Sequence, residues 1–407
     1  MTCLWSSDRL FTEGNEFLSK RIGVVVTTIS EGKFLDAYLV AAKSHRGADA
    51  ISVYVIGDVN THQECRRRTE AARAQGLAAK YFDVAEQEDF LKPFPDMAKL
   101  IPLRSDQRRN VGYLLALRDR CDVLVSLDDD NLPIFDHPFF ELHALAGSSQ
   151  TLVATQSQNG WFNLGSLLEV ADGAGRPCAV YPRGFPYSRR WSDASSVKGQ
   201  CESGKIAVSV GLWRGDPDVD ATTRLATACT SRALVDHRYL LGRGQRSPIN
   251  SQNTALIWHA IPSYYFALMR QDVAGLQIDR FGDIFSGYFL QMCAESVGHR
   301  VCVGSPWVHQ DRNQHDLLQD LRAELPGMML IEAMTGFLED PLPASTSYCE
   351  AYLCLAERLL EWSQTQQGQV WTESTRRFYH SLHDAMRIWV ETCVTLAGGE
   401  AALRVQG

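Results

Sequence analysis

No uncharged apolar run in the 407 residues reaches the ~18–20 needed to cross a bilayer. The opening stretch Met1-Thr2-Cys3-Leu4-Trp5-Ser6-Ser7-Asp8-Arg9 has none of the apolar core of a signal peptide, so the expectation is a chain neither anchored nor exported. Its eleven cysteines are an odd number, scattered, without a CxxC pair. Cys349 and Cys354 lie in a helical pattern, so buried thiols in a reducing, cytoplasmic setting are expected. No GxGxxG opens the first helical segment and no Walker A sequence occurs, which argues against NAD; no flavin motif is visible either. A basic excess is also missing. With 40 Lys+Arg against 48 Asp+Glu the net charge is −8, which speaks against nucleic acid and against anionic membrane as partners. Repeats and low-complexity linkers are absent.

What is present is ordinary for a folded enzyme-sized chain: 45% hydrophobic and 22% charged residues, enough for one large domain with an appendage or for two domains. Residues 22–30 read as a central strand ending in hydroxyls, and 31–44 carry Phe34, Leu35, Tyr38 and Leu39 at helical spacing. Residues 51–58 repeat the strand and end on Asp58; 61–75 are charged and helical. This alternation predicts βαβ units and a parallel sheet. An amphipathic helix over 107–120 opens with Arg108 and Arg109, which oppose the helix dipole and are therefore either solvated or recruited to phosphate.

The stretch that organises the rest follows at once. Residues 123–127 are a short run of five apolar or small residues, and it leads straight into Asp128-Asp129-Asp130. As a buried strand it delivers three carboxylates to the crevice above the sheet, where ligands of α/β proteins sit. Three like charges there repel unless a cation lies among them, and oxygen-only ligands suit Mn²⁺ or Mg²⁺ together with substrate phosphates. Farther on, residues 181–190 are too Pro-rich for a helix, 206–213 read as a strand, 216–220 as an acidic loop, and the chain from about 345 is helical.

Several strings together resemble the reversibly glycosylated polypeptides, flavin-independent nucleotide-sugar pyranose–furanose mutases. Val26-Thr27-Thr28-Ile29-Ser30, Arg109-Asn110-Val111-Gly112-Tyr113 and the aspartate triplet are similar to successive motifs of that family. So are Arg183-Gly184-Phe185-Pro186-Tyr187-Ser188, Gly211-Leu212-Trp213 with Asp218-Val219-Asp220, and Asp283-Ile284-Phe285-Ser286-Gly287; His309 sits where the resembling core closes. The likeness spans roughly residues 20–330. It implies a glycosyltransferase-A-like α/β fold with a mostly parallel, Rossmann-like sheet over residues 1–335, and a helical extension over 336–407. It also implies a divalent metal, Mn²⁺ before Mg²⁺, held by Asp128, Asp130 and His309.

Further roles follow from the resemblance. Arg183, Asp129 and Asp283 are the expected catalytic groups. Thr27, Thr28, Asp58, Arg109 and Asp128 are expected on the nucleotide, and Trp213, Asp218 and Asp220 on the sugar, although the last two acids equally suit helix caps and Trp213 equally suits the core. The expected reaction interconverts ring forms of a nucleoside-diphosphate sugar, with a glycosyltransferase or a self-glycosylating binding protein as alternatives. Thr27 and Ser30 depart from the family's proline and arginine, which tilts the expected base slightly from UDP toward a GDP-linked hexose. Homo-oligomerisation stays open.

Overall fold

The Val- and Ile-rich runs form the inner strands of the sheet in a computed structural model that describes residues 19–44, 50–134, 137–234, 237–312 and 315–405. The stretch 1–9, read above for a leader, lies outside the described residues. The first half alternates β1 (Ile22–Thr27), α1 (Phe34–Ser44), β2 (Ile51–Ile56), α2 (Glu64–Ala74), β3 (Ala78–Phe82), α3 (Val84–Leu91), α4 (Pro95–Lys99), α5 (Arg109–Arg118) and β4 (Val123–Asp128). β1 lies between β2 and β4, β3 flanks β2, and all four are parallel. β1 and β4 are buried along almost their whole length, as strands covered on both faces must be.

The second half carries β5 (Asn131–Pro133), α6 (Phe139–His143), β6 (Ser149–Val153), β7 (Leu168–Asp172), α7 (Tyr187–Arg190), β8 (Cys201–Gly215), α8 (Ala221–Ala226), β9 (Cys229–Leu234), β10 (Arg238–Leu240) and β11 (Asn253–Ile257). A small hairpin of β12 (Asp272–Val273) and β13 (Leu276–Gln277), then α9 (Gly282–Ser296) and β14 (Arg300–Gln310), complete it. β11 runs antiparallel between β4 and β8, β8 and β14 are parallel, and β10 runs against β14 at the far end. The result is the expected mostly parallel, glycosyltransferase-A-like sheet, its β4 tip near the middle.

α10 (Leu317–Glu339), α11 (Tyr348–Thr365) and α12 (Glu373–Ala397) form the C-terminal helical extension. α10 runs through position 335, where the sequence reading placed a domain boundary. Residues on both sides of it share one buried cluster: Val24 and Leu124 of the sheet belong with Met334, Tyr352, Leu382 and Trp389. Trp389 is fully buried, its ring tilted on Tyr265 at 5.7 Å and its indole N–H donating to the Ile261 carbonyl at 3.3 Å. Burial of such a side chain contributes on the order of 2–3 kcal/mol. Thr372 caps the start of α12 and Gly398, with φ +81°, ends it in the left-handed conformation that glycine tolerates.

Two local expectations are corrected. The Pro-rich segment 181–190 contains the one-turn α7, because Pro186 falls at its N-cap, where the missing N–H costs nothing. Arg108 and Arg109 are not solvated; both are buried, and Arg108 Nε donates to Gln87 Oε1 at 2.9 Å. Among the described residues nine cysteines are free thiols, six of them buried, while Cys201 is disulfide-bonded, a mixture that assigns no redox compartment. No helix of the described residues is long and apolar enough to cross a membrane.

Candidate active site

Register places the acids. Asp128 pairs with Thr27 across β4 and β1, and Asp129 and Asp130 follow in the turn before β5. Two confluent cavities open above these carboxyl ends. The narrower, about 220 Å³, is walled by Asp128, Asp129, Asp130, Arg183, Arg280, Asp283 and Arg312. The wider, about 680 Å³ and more apolar, is walled by Thr28, Ile29, Ser30, Asp58, Arg104 and Arg108. Thr27, Asp106, Asp129 and His315 line both.

Each member of the triplet has a partner. Arg109 donates to Asp128 Oδ1, to Thr27 Oγ1 at 3.0 Å, to Ser126 Oγ at 2.9 Å, and to the carbonyls of Leu127 and Ser251 at 3.0 and 3.1 Å. Only its Nε lacks an acceptor; Arg109 lines the narrow cavity and at the same time clamps the β4 tip. The Thr28 hydroxyl donates to Asp129 Oδ2 at 2.6 Å, and Asn131 Nδ2 to Asp130 Oδ1 at 2.7 Å. Burial, then the charges of Asp128 and Asp129, pushes the Asp130 carboxyl up to about 7. Burial also raises that of Asp128, against the pull of Arg109.

Asp58 ends β2 as expected, but both its oxygens are occupied: Oδ1 accepts from Val59 N at 2.7 Å and Oδ2 from Ser105 N at 3.0 Å. It staples the loop that carries Arg104, Ser105 and Asp106 to the sheet. Arg104 takes a positive φ of 55° at this bend, strain that Asp58 and the Arg270 guanidinium on the Arg104 carbonyl help to hold.

Arg183 is the centre of a second cluster. Its Nε and Nη2 donate to Asp218 at 3.1 and 3.2 Å, its Nη1 and Nη2 to Asp283 at 3.1 and 2.8 Å, and Nη1 also to the Arg280 carbonyl. All five guanidinium N–H groups are thereby spoken for, and none remains for a phosphate. The loop reaches this position through Gly184, φ +86°, whose missing Cβ would lie 2.5 Å from the Ile284 side chain. Asp283, in the first turn of α9, faces the narrow cavity; Asp218 lies behind Arg183 and also accepts from Asn250 Nδ2 at 2.7 Å.

The expected sugar contacts are not at the cavity. Trp213 is 2% exposed within the core, because β8 is buried on both faces there. Asp220 caps α8 through Thr223 N at 2.8 Å and binds Tyr187 and Arg190, the helix-cap alternative. His309 is exposed and absent from both walls. Side chains alternate along a strand, so buried Val308 and Gln310 turn inward and His309 outward. The histidine at the cavity is His315, its Nδ1 3.1 Å from Asp320 of α10. Asp320 and Glu324 also hold Arg280, at 3.3 and 3.1 Å.

Among the described residues no three His, Cys, Asp or Glu side chains converge as a metal-holding group. The donor chemistry nevertheless suits a hard cation. Asp128, Asp129 and Asp130 share the narrow cavity, and the buried Oε1 atoms of Gln252 and Gln310 on its wall have no hydrogen-bond partner. An oxygen-only set of this kind fits Mg²⁺ or Mn²⁺.

A mostly parallel sheet whose central strand ends in aspartates beneath a charged, two-lobed cavity defines a glycosyltransferase-A-like protein. The family model of the reversibly glycosylated polypeptides matches residues 69–397, and the chain belongs to that family. It is similar to probable UDP-arabinopyranose mutase 2 of Solanum tuberosum, 24% identical over 314 residues that cover 76% of each chain. UDP-arabinopyranose mutase 3 of Arabidopsis thaliana is 25% identical over 323 residues, 78% of this chain and 80% of that protein. Among solved structures, glucosyl-3-phosphoglycerate synthase of Mycobacterium tuberculosis in complex with Mn²⁺ and uridine-diphosphate-glucose aligns with a TM-score of 0.37 and 12% identity, covering 81% of this chain and 83% of that one.

Proposed function

We propose that this protein is a metal-dependent mutase that interconverts the pyranose and furanose forms of a UDP-linked sugar while the nucleotide stays with the enzyme. The observation that carries the reading is the pair of confluent cavities, one wide and partly apolar, one narrow and lined with charge. Their shapes suit a nucleoside in the first and a sugar diphosphate in the second. Nothing in the wide cavity supports the tilt toward guanine, and the relatives named above are UDP-arabinopyranose mutases, so uridine is the proposed base.

Asp128 and Asp130 would hold the cation, with Asp129, Gln310 and His315 beside them. A bound divalent cation would act as a Lewis acid that neutralises the diphosphate. Arg280 and Arg312, which line the same cavity, add positive charge that offsets the charge of a departing diphosphate. Asp129 and Asp283, which line the narrow cavity, would accept hydrogen bonds from sugar hydroxyls. Arg183 acts one step back: it fixes the Asp283 carboxylate in one orientation.

Incubation of the protein and Mn²⁺ with UDP-pentoses and UDP-hexoses, followed by NMR of the ring form, tests this. Furanose formed without any acceptor supports the mutase. Turnover that appears only with an added acceptor, or slow hydrolysis alone, would instead make the protein a transferase.

A further inference from the structure

The carboxylates at the cavity differ in how they are occupied. Asp128 is clamped by Arg109, Asp129 accepts from Thr28, Asp130 from Asn131, and Asp283 from Arg183. Asp106 stands apart. It lies in the turn of 3₁₀ helix (Asp106–Arg108) that leads into α5, and it lines both lobes at their junction. Among the described residues its one side-chain donor is the Ser105 hydroxyl at a long 3.4 Å, and no cation pairs with it. The residue is exposed to the open cavities, with protein packed around the inner side of its carboxyl group. The protein packed around its carboxyl, then Asp279 and Asp283 from the α9 side and Asp128 from the β4 tip, push it up to about 6, while Arg109 from α5 opposes them. A carboxyl in that range takes up and gives back a proton near neutrality. Its neighbours at the backbone are fixed: Ser105 is stapled to Asp58, so the group is held in place without being saturated.

Ring interconversion needs such a group. The bond from C1 to the diphosphate oxygen breaks and its electron pair leaves with the diphosphate. The C4 hydroxyl oxygen then bonds to C1 and must shed its proton. As the bond from C1 to the pyranose ring oxygen breaks, that oxygen keeps the pair and must gain a proton. The diphosphate finally rebonds to C1. One proton leaves one sugar oxygen and arrives at another, with no net change, so a single carboxylate serves both transfers. Resting on the mutase reading above, we propose that Asp106 is the catalytic residue that carries this proton from the C4 hydroxyl to the departing ring oxygen.

The test separates cleavage at C1 from ring exchange. UDP-sugar labelled with heavy oxygen in the bridge between C1 and phosphorus is incubated with wild-type protein, Asp106→Asn and Asp106→Glu, each with Mn²⁺. Scrambling of the label into non-bridging positions reports C1–oxygen cleavage; NMR reports furanose. A thermal shift with UDP and Mn²⁺ reports folding and binding. Asp106→Asn is expected to bind UDP normally and scramble label within roughly tenfold of wild type, yet to form furanose roughly 100-fold more slowly or worse. Asp106→Glu should recover part of the furanose rate. Furanose formation by Asp106→Asn at the wild-type rate overturns the proposal. So does parallel loss of scrambling and furanose in both variants, which would make Asp106 a binding or structural residue. If wild type scrambles label and never yields furanose, the mutase reading itself fails, and this proposal with it.

Discussion

Replacing Arg183 by Ala strands two buried carboxylates. Asp218 and Asp283 are 3% and 8% exposed at their side chains, and they lose four charge-assisted hydrogen bonds at once. Asn250 Nδ2 and the Ile284 N–H remain, one donor on each acid. Breaking a buried pair by removal of one partner costs about 3–5 kcal/mol, and because two acids are left unpaired the upper half of that range is expected. Urea denaturation of metal-free protein measures it, provided the slope with denaturant stays that of wild type. The pH dependence follows from sign. In wild type, Arg183 holds the Asp218 carboxyl below its usual range against the opposing effect of burial, so its contribution is present above the unfolded value and fades as pH falls through the folded one. In Arg183→Ala burial is opposed only by the Asn250 donor and the Arg224 charge, the folded value rises, and the variant gains relative to wild type as the solution is acidified toward pH ~4–5. Arg183→Leu combined with Asp218→Asn and Asp283→Asn, which removes all three charges, should recover most of the loss. A change under about 1 kcal/mol in Arg183→Ala, or no recovery in the triple variant, would refute the idea that this arginine is held by stranded-charge energetics.

Asp130→Asn should stabilise the metal-free protein above pH ~7 and abolish turnover. The folded carboxyl is raised to about 7, so its stabilising contribution is present below pH ~4 and is lost as pH rises through about 7; ~4 kcal/mol by the size of the shift shrinks to about 1–2 after solvent screening of a partly exposed group. A melting temperature at pH 8 equal to or below wild type would count against it. His309→Ala should leave furanose formation within about twofold of wild type, because the side chain faces solvent, whereas His315→Ala should slow it by roughly tenfold or more; the reverse pattern in kinetics at saturating Mn²⁺ would restore His309 to the metal. Asp58→Asn should weaken UDP binding in a thermal-shift titration by roughly tenfold without a change in base preference, since its carboxylate is spent on backbone N–H groups; a switch of preferred base would show direct contact instead. Removal of divalent metal with a chelator should abolish turnover, and Mn²⁺ or Mg²⁺ should restore it; full activity in chelator would sink the cation reading.

Much of this architecture was legible because it rests on local pattern. The β1–α1–β2–α2 alternation is written in apolar spacing, and the apolar run before Asp128 can hardly be anything but a buried strand that ends in acid. The roles of individual polar residues were less legible, because they depend on partners far along the chain. Arg109 and Asp128 are nineteen residues apart, Arg183 and Asp283 a hundred, and neither pairing leaves a trace in spacing. His309 is the instructive case. The pleat alone, counted from buried Val308, turns it outward and Gln310 inward, so the period of two held evidence against it as a ligand. Asp106 gave no such warning.

The same contrast explains how so acidic a cavity folds. The narrow lobe gathers five aspartates, and each buried acid would resist burial on its own. The fold answers with arginines turned inward from several elements: Arg109 from α5, Arg183 from the loop before α7, Arg280 from the loop before α9. Arg183 is fully committed to carboxylates and a carbonyl, and Arg109 to a carboxylate, hydroxyls and carbonyls in all but its Nε, so in the proposed reading the diphosphate would be met by Arg280, Arg312 and a cation. Asp106, like Asp129 and Asp130, has no arginine of its own, but where those two accept short hydrogen bonds from Thr28 and Asn131 it meets only the Ser105 hydroxyl at 3.4 Å, which is why the proposed proton transfer is assigned to it.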